Sequence, residues 1–321
     1  GQAEVLRAAR ERCWPRPLEL GGVGPALPAD EEGSPPWKRP LAPGAARCRL
    51  RVAYDGTQYS GWMRLAGRPL AVAGLLDRAL SLAVGCDVSV QGASRTDAGV
   101  HARGQAAHFD LPGEVASARP PDWQRRWEAA ANRMLPGDIR VRALGEAPRP
   151  DFHATFSATG KTYSYRLHIG PHPPDPLGRL CRYEVAASWA ESLGGDAGRL
   201  REAAAAFEGR HDFARFHQKD PSRGPERDTV RTIRRIEVVD EGAGQCRIDM
   251  QLDGALYKMV RNVVGCIVYA ALGRVSLEDV REALQRPSAA RPSRCELGEF
   301  PCLPASGLCL ERVHYAAEDD F

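Results

Sequence analysis

Along residues 47–54 apolar and basic residues alternate. Cys48, Leu50, Val52 and Tyr54 fall on one side, Arg47, Arg49 and Arg51 on the other. A period of two describes a strand with one buried face. From Val72 the period lengthens: Val72, Leu75, Leu76, Leu80 and Val84 recur at helical spacing. Short strands are predicted near 88–93 and 104–110, with a sharp turn between them. The stretch from Trp123 to Leu135 predicts a helix that Pro136 ends. Residues 139–144 and 162–169 predict strands. The second half repeats the rhythm: a helix over about 188–207 that stops near Gly209, strands near 230–239 and 245–252, helices over 257–272 and 276–284, and a last strand over 308–315. Alternating elements in two similar halves predict an α+β fold, with helices packed on one face of a largely antiparallel sheet.

Residues 15–46 break this pattern. They are rich in Pro, Gly and Ala and carry the acidic run Asp30-Glu31-Glu32, which predicts a tail or linker. Residues 4–13 predict one short helix. The chain therefore divides into an extension over 1–46, a first half over 47–160 and a second over 161–321. Its 321 residues are enough for a large core and two subdomains. No apolar run reaches the 18 residues of a membrane span, so no membrane partner is expected. The nine cysteines form no C-x-x-C pair, and several lie in apolar runs such as 263–268. They are read as reduced core thiols of an intracellular protein, with no metal site and no cofactor.

The formal charge of +3 says little about partners. Of the 44 basic residues only Lys38, Lys161, Lys219 and Lys258 are lysine. Arginine suits phosphate contacts and base stacking, although a GC-rich genome gives the same bias.

The stretch with most chemical content is Ala93-Ser94-Arg95-Thr96-Asp97-Ala98-Gly99-Val100-His101-Ala102. Gly99 frees the backbone to turn sharply. Asp97 is then a carboxylate displayed at a turn, two residues from the cation of Arg95. Composition alone allows a solvated turn between strands. The order of residues resembles the G-R-T-D-A-G-V-H-A signature of the TruA-type tRNA pseudouridine synthases, with Ser94 in place of a Gly. Further blocks resemble that family in its order. Tyr54-Asp55-Gly56-Thr57-Gln58-Tyr59-Ser60-Gly61-Trp62 is similar to its opening strand and turn. Leu135-Pro136-Gly137-Asp138-Ile139 resembles L-P-x-D-I. Residues 152–165, from Phe152-His153-Ala154-Thr155-Phe156 through Lys161-Thr162-Tyr163-Ser164-Tyr165, resemble F-H-A-R-(F/Y)-S-A-x-x-(K/R)-x-Y-x-Y. Residues 209–216 resemble G-x-H-D-F-x-x-F, and Met259-Val260-Arg261-Asn262-Val263-Val264-Gly265 resembles M-V-R-x-(I/M)-V-G. The likeness runs from about residue 47 to residue 315.

The resemblance implies two ferredoxin-like halves whose sheets join into one, with a central RNA-binding cleft. It implies conversion of uridine to pseudouridine in tRNA, in the anticodon stem-loop, by a homodimer. It implies Asp97 as the catalytic carboxylate, Tyr163 as the active-site tyrosine and Arg261 as its basic partner. Arg95, Thr96, His101, Asn132, Lys161 and Asn262 are the expected substrate-binding residues. Met63, Val72-Ala73 and Ser94 depart from the family pattern in the RNA-facing entry region, which bears on the target nucleotide more than on the chemistry. Segments around Gly170–Arg179 and Arg286–Pro301 read as insertions.

His101 and His153 either touch RNA or orient loops. Arg227, Arg231, Arg234 and Arg235 line either a phosphate track or a solvated sheet face. A second reading of the whole chain is a structural or assembly subunit of an organellar ribonucleoprotein, docked through its extension. Arg7, Arg10 and Arg12 suggest an organellar leader, whereas Glu4 and Glu11 argue against an intact one.

Overall fold

A computed structural model of the chain describes residues 41–64, 70–218, 228–285 and 301–321. The predicted extension and its helix over 4–13 therefore lie almost wholly outside the described residues, as does most of the second predicted insertion. Ten strands form one sheet: β1 (Ala46–Tyr54), β2 (Gln91–Gly92), β3 (His101–Leu111), β4 (Ile139–Glu146), β5 (Gly160–His168), β6 (Tyr183–Glu184), β7 (Gly209–Asp212), β8 (Val230–Gly242), β9 (Gln245–Leu252) and β10 (Leu308–His314). The order is β4-β1-β3-β10-β5-β9-β8-β7, with β2 on β3 and β6 on β5. All pairs are antiparallel except β10 with β3 and β5 with β6. The strands of the two halves meet where β10, last in sequence, slots between β3 and β5. This is the α+β fold with a mainly antiparallel sheet that the patterning predicts, continuous through both halves as the resemblance implies.

Among the described residues there are seven helices: α1 (Val72–Val84), α2 (Gly113–Ser117), α3 (Trp123–Met134), α4 (Ala187–Leu193), α5 (Gly198–Ala205), α6 (Met259–Ala271) and α7 (Leu277–Gln285). The alternation in β1 sets the layers. Cys48, Leu50 and Val52 are fully buried, and so are the helical residues Val72, Leu76, Leu80 and Ala131. Burial of each large apolar side chain is worth roughly 1.5–3 kcal/mol. In the second half, Leu167, Ile248 and Leu252 lie buried with Val263, Ile267 and Val268 of α6. Leu310, opposite Tyr163 and beside Ala102, carries the buried face across the seam. The far face is charged, with pairs such as Arg166–Glu311 and Arg247–Asp249. Arg47 departs from the simple alternation. It is 7% exposed, because its guanidinium takes both carboxylate oxygens of Asp110 and the carbonyl of Phe152.

The helix predicted over 188–207 is two helices. Gly194 closes α4 in the left-handed conformation (φ 59°), Gly195 follows at φ 77°, and Asp196 accepts the N–H of Gly198 to start α5. The short β6, β7 and α2 give too little periodic signal to be predicted. Among the described residues no helix is long and apolar enough to cross a membrane.

Candidate active site

The segment 94–97 crosses the buried face of the sheet at the seam, and its side chains alternate. Ser94 and Thr96 point down and are buried; Arg95 is exposed and Asp97 part-exposed. Two phenols rising from the sheet clip the inward pair. Tyr54 of β1 bonds Thr96 Oγ1 at 2.8 Å, and Tyr163 of β5 bonds Ser94 Oγ at 2.9 Å. The backbone of Ser94 is held from both sides by one amide: Gln105 Oε1 accepts its N–H and Gln105 Nε2 donates to its carbonyl. Inward anchoring of alternate residues leaves Arg95 and Asp97 directed outward.

The opening block fixes the same segment from the side. Trp62 donates its N–H to Thr96 O at 3.1 Å. A Cβ at Gly61 would lie 2.5 Å from Thr96 O, and one at Gly56 only 1.9 Å from Val100 O. Both positions therefore need glycine for close backbone approach. The carbonyls of Gly61 and Trp62 accept the N–H groups of Val72 and Ala73, so they cap α1, whose N-cap residue Ala71 offers no polar side chain.

Asp97 meets Arg261 at the start of α6. Arg261 Nη1 lies 3.0 Å from Asp97 Oδ2, and its Nε donates to Leu303 O at 2.6 Å. The two side chains are 21% and 13% exposed, so the pair is sheltered while one edge stays open to a ligand. A part-buried Arg–carboxylate contact is a strong, oriented hydrogen bond. Tyr163 is 5% exposed. Burial, with the nearby charge of Asp97 adding, pushes its hydroxyl up to about 12, although the bond to Ser94 opposes this. At neutral pH the phenol is protonated and can donate.

Other expected residues are placed differently. His101 is buried at the start of β3. Its Nδ1 lies 3.1 Å from both the Gly56 N–H and Asp55 Oδ1, and its Nε2 lies 3.1 Å from Ser306 O. The contact with His101 holds the Asp55 carboxyl well below the usual carboxylate range. His101 thus ties the opening block to the loop before β10. Asn132 on α3 spends its amide on the N–H and C=O of Val141 in β4. Lys161 precedes Tyr163 by two on β5, on the same side of the strand. Asn262 is buried beside Arg261; its Nδ2 donates to Phe216 O, and its Oδ1 has no partner among the described residues.

Sequence reasoning missed Gln105, and missed Ser94 as a functional group; its only signal was its place in the signature. Among the described residues no group of three or more His, Cys, Asp or Glu gathers as a metal site would. Burial pushes the thiols of Cys48, Cys246 and Cys309 up to about 12, so none is a ready nucleophile.

A family model described as tRNA pseudouridine synthase matches residues 203–316. A protein named tRNA pseudouridine synthase A from Akkermansia muciniphila is 36% identical over 275 residues, 85% of this chain and 96% of that protein. The protein of the same name from Ruminiclostridium cellulolyticum is 33% identical over 273 residues, 84% and 99% of the two chains. The chain belongs to the tRNA pseudouridine synthase A family. A relative from Solidesulfovibrio magneticus, 36% identical over 277 residues, covers 85% of this chain and 92% of its own length. Among solved structures, one titled as a Cbf5–Nop10–Gar1 complex matches 79% of this chain and 51% of that one, at 12% identity and a TM-score of 0.31, a likeness too slight to bear on the fold.

Proposed function

We propose that the chain isomerises uridine to pseudouridine in tRNA, with Asp97 as the catalytic carboxylate. The observation that carries this is the sheltered contact of Asp97 with Arg261, with the buried Tyr163 close enough to feel the charge of Asp97, in a chain that belongs to this family. The reaction breaks the N1–C1′ bond of a uridine and rejoins the same ring through C5, with no change of oxidation state. It needs a carboxylate at the sugar, a dry floor under the uracil and a hold on a base taken out of its stack. Asp97 acts first on the sugar, by an elimination route through a glycal. Arg261 orients the carboxylate. Tyr163 lies under the uracil, and its protonated hydroxyl serves proton movement at C5. Arg95, exposed beside Asp97, displaces the target base. Thr96, His101, Asn132, Lys161 and Asn262 support the loop and the walls of the RNA site.

The site in this reading sits between a half over 47–160 and a half over 161–321. The anticodon stem-loop as target and the homodimer rest on the family resemblance. An organelle rests on Arg7, Arg10 and Arg12 alone, and the relatives named above are bacterial, which lends it no support. Retention of Asp97, Tyr163 and Arg261 together favours the enzyme over a scaffold that only binds RNA.

The test is pseudouridine formation in uridine-labelled bulk tRNA by the wild-type chain and by Asp97→Ala. Product from the wild type, with a loss of at least about 10³-fold in the variant, supports the assignment. No product from either, with tRNA binding intact, turns the reading to a ribonucleoprotein subunit.

A further inference from the structure

Asp97 and Arg261 share a neighbour, the short strap over residues 301–307 that leads into β10. The carbonyl of Leu303 accepts the Nε–H of Arg261 at 2.6 Å. The carbonyl of Ser306 lies 3.1 Å from His101 Nε2. Ala305 packs against the turn after Asp97, where a Cβ at Gly99 would lie 3.2 Å from the Ala305 Cβ. Pro301 lies against α6 one turn beyond Arg261: a Cβ at Gly265 would stand 1.9 Å from Pro301 O. The strap therefore touches α6, the catalytic turn and the start of β3.

One side chain holds the strap from the sheet. Tyr165 of β5 is 1% exposed. Its hydroxyl donates at 2.7 Å to Pro304 O, the carbonyl next to that of Leu303. Its ring closes on the end of the strap, where a Cβ at Gly307 would lie 2.5 Å from both Cε1 and Cζ. Leu308, the next residue, pairs with Tyr165 across β10 and β5. Burial pushes the Tyr165 hydroxyl well above the usual phenol range, and the charge of Arg261 opposes that shift. The hydroxyl is thus a donor at neutral pH, within reach of the guanidinium's field.

A buried tyrosine that bonds a carbonyl often does no more than satisfy its own hydroxyl. The place of this carbonyl gives it a further consequence. Among the described residues the Arg261 guanidinium bonds Asp97 through Nη1 and Leu303 O through Nε. One such bond leaves the side chain free to turn about it, whereas two fix its plane. The second acceptor is main chain, so it is only as firmly placed as the strap. The two phenols of β5, on the same side of the strand, then divide the work. Tyr163 bonds Ser94 in the segment that carries Asp97, and Tyr165 bonds the strap that holds Arg261.

We infer that Tyr165 is a positioning residue for the Asp97–Arg261 pair, acting through the strap 301–307. This rests on the reading of the chain as a pseudouridine synthase.

The experiment compares the wild type with Tyr165→Phe, which removes only the hydroxyl, and with Gly307→Ala, whose methyl group presses the strap off the ring. Arg261→Lys and the double variant Tyr165→Phe/Arg261→Lys complete a cycle. Each protein is checked for fold by circular dichroism, for tRNA binding by filter retention and for pseudouridine formation in single turnover. Positioning predicts a rate about 10- to 100-fold lower in Tyr165→Phe and Gly307→Ala, with tRNA binding within about twofold of the wild type. In the Arg261→Lys background the loss of the hydroxyl should cost less than about twofold more, because the group it positions is gone. A wild-type rate in either folded variant overturns the inference. So do losses that multiply in the double variant, since those report a general loosening. A further readout needs no turnover. The Arg261 Nε–H signal in a proton–nitrogen NMR spectrum is assigned by its absence from Arg261→Lys. It should exchange with water at least about tenfold faster in Tyr165→Phe, and an unchanged rate overturns the inference. Absence of pseudouridine from the wild type defeats the enzymatic reading instead, and the exchange of this signal still decides whether Tyr165 positions Arg261.

Discussion

Ser94 shows how one side chain alters a site without entering its chemistry. It stands where the family signature has Gly, and its hydroxyl hydrogen-bonds the hydroxyl of Tyr163. Both residues are buried, so loss of the hydroxyl strands a phenol away from water. Ser94→Ala is expected to lower stability by about 1–2 kcal/mol, and the melting temperature by a few degrees. Tyr163→Phe in the same background removes the stranded group, so the double variant should recover part of the loss. A melting curve for each of the four proteins tests this; strictly additive losses would rule out the coupling. The sequence exposed Asp97, Tyr163 and Arg261 through motif resemblance, and the structure brings all three together around the 94–97 segment. It could not expose Gln105, because an amide that braces the loop leading into its own strand, from 11 residues on, leaves no spacing or periodicity to read. His101 and Asn132 carried equally clear motif signals, yet their polar atoms are spent on the fold's own backbone and carboxylate groups. A motif marks that a residue is needed; only its partners say for what.

At the scale of elements, legibility followed periodicity. β1, α1, α3, β9, α6 and β10 lie within a few residues of where the alternation and helical spacing placed them, because each buries one continuous face. The long helix over 188–207 failed, because Gly194 and Gly195 end a helix more strongly than the flanking apolar residues extend it. The loops were legible only as motifs, and their glycines now have a physical account. The turn after β1 presses its backbone on residues 99–100 at Gly56. A methyl group there would sit 1.9 Å from Val100 O and 2.5 Å from Val100 C, atoms that cannot swing aside. Gly56→Ala should therefore displace residues 97–100 and lower pseudouridine formation by about tenfold or more, at a stability cost of about 1–3 kcal/mol. Gly145→Ala on β4, where nothing lies within 4 Å of the added carbon, is the matched control and should change neither quantity by much. Equal behaviour of the two variants in a turnover assay would dismiss this account.

For the whole molecule, the buried histidines set a direction for stability against pH. His108 has Nδ1 accepting the Ala154 N–H, so its ring proton sits on Nε2, which has no acceptor among the described residues. Burial, with the charges of His153 and Arg47 adding, lowers His108 from 6.5 to about 2. Burial and Arg47 lower His153 to about 4, against the pull of Asp110. Below 6.5 the unfolded chain takes up these protons while the folded one refuses them. Their contribution is therefore complete above pH 6.5 and is lost as pH falls, towards 4 for His153 and 2 for His108. Between pH 7 and 5 the loss is on the order of 2 kcal/mol for each ring. The carboxyls held low by their partners, Asp55 and Asp320, lose stability in the same direction, but only once the pH enters the carboxylate range. Urea unfolding at pH 7.5, 6 and 5 separates the two windows. His108→Gln keeps a carbonyl that can accept the Ala154 N–H but cannot titrate. Its stability at pH 7.5 falls through imperfect packing, yet its decline between pH 7 and 5 should be shallower by the share of one ring, that of His153 and of His314, which burial also lowers, remaining. An unchanged slope in that variant would mean that other groups carry the acid sensitivity of the fold, and that His108 takes up its proton without cost.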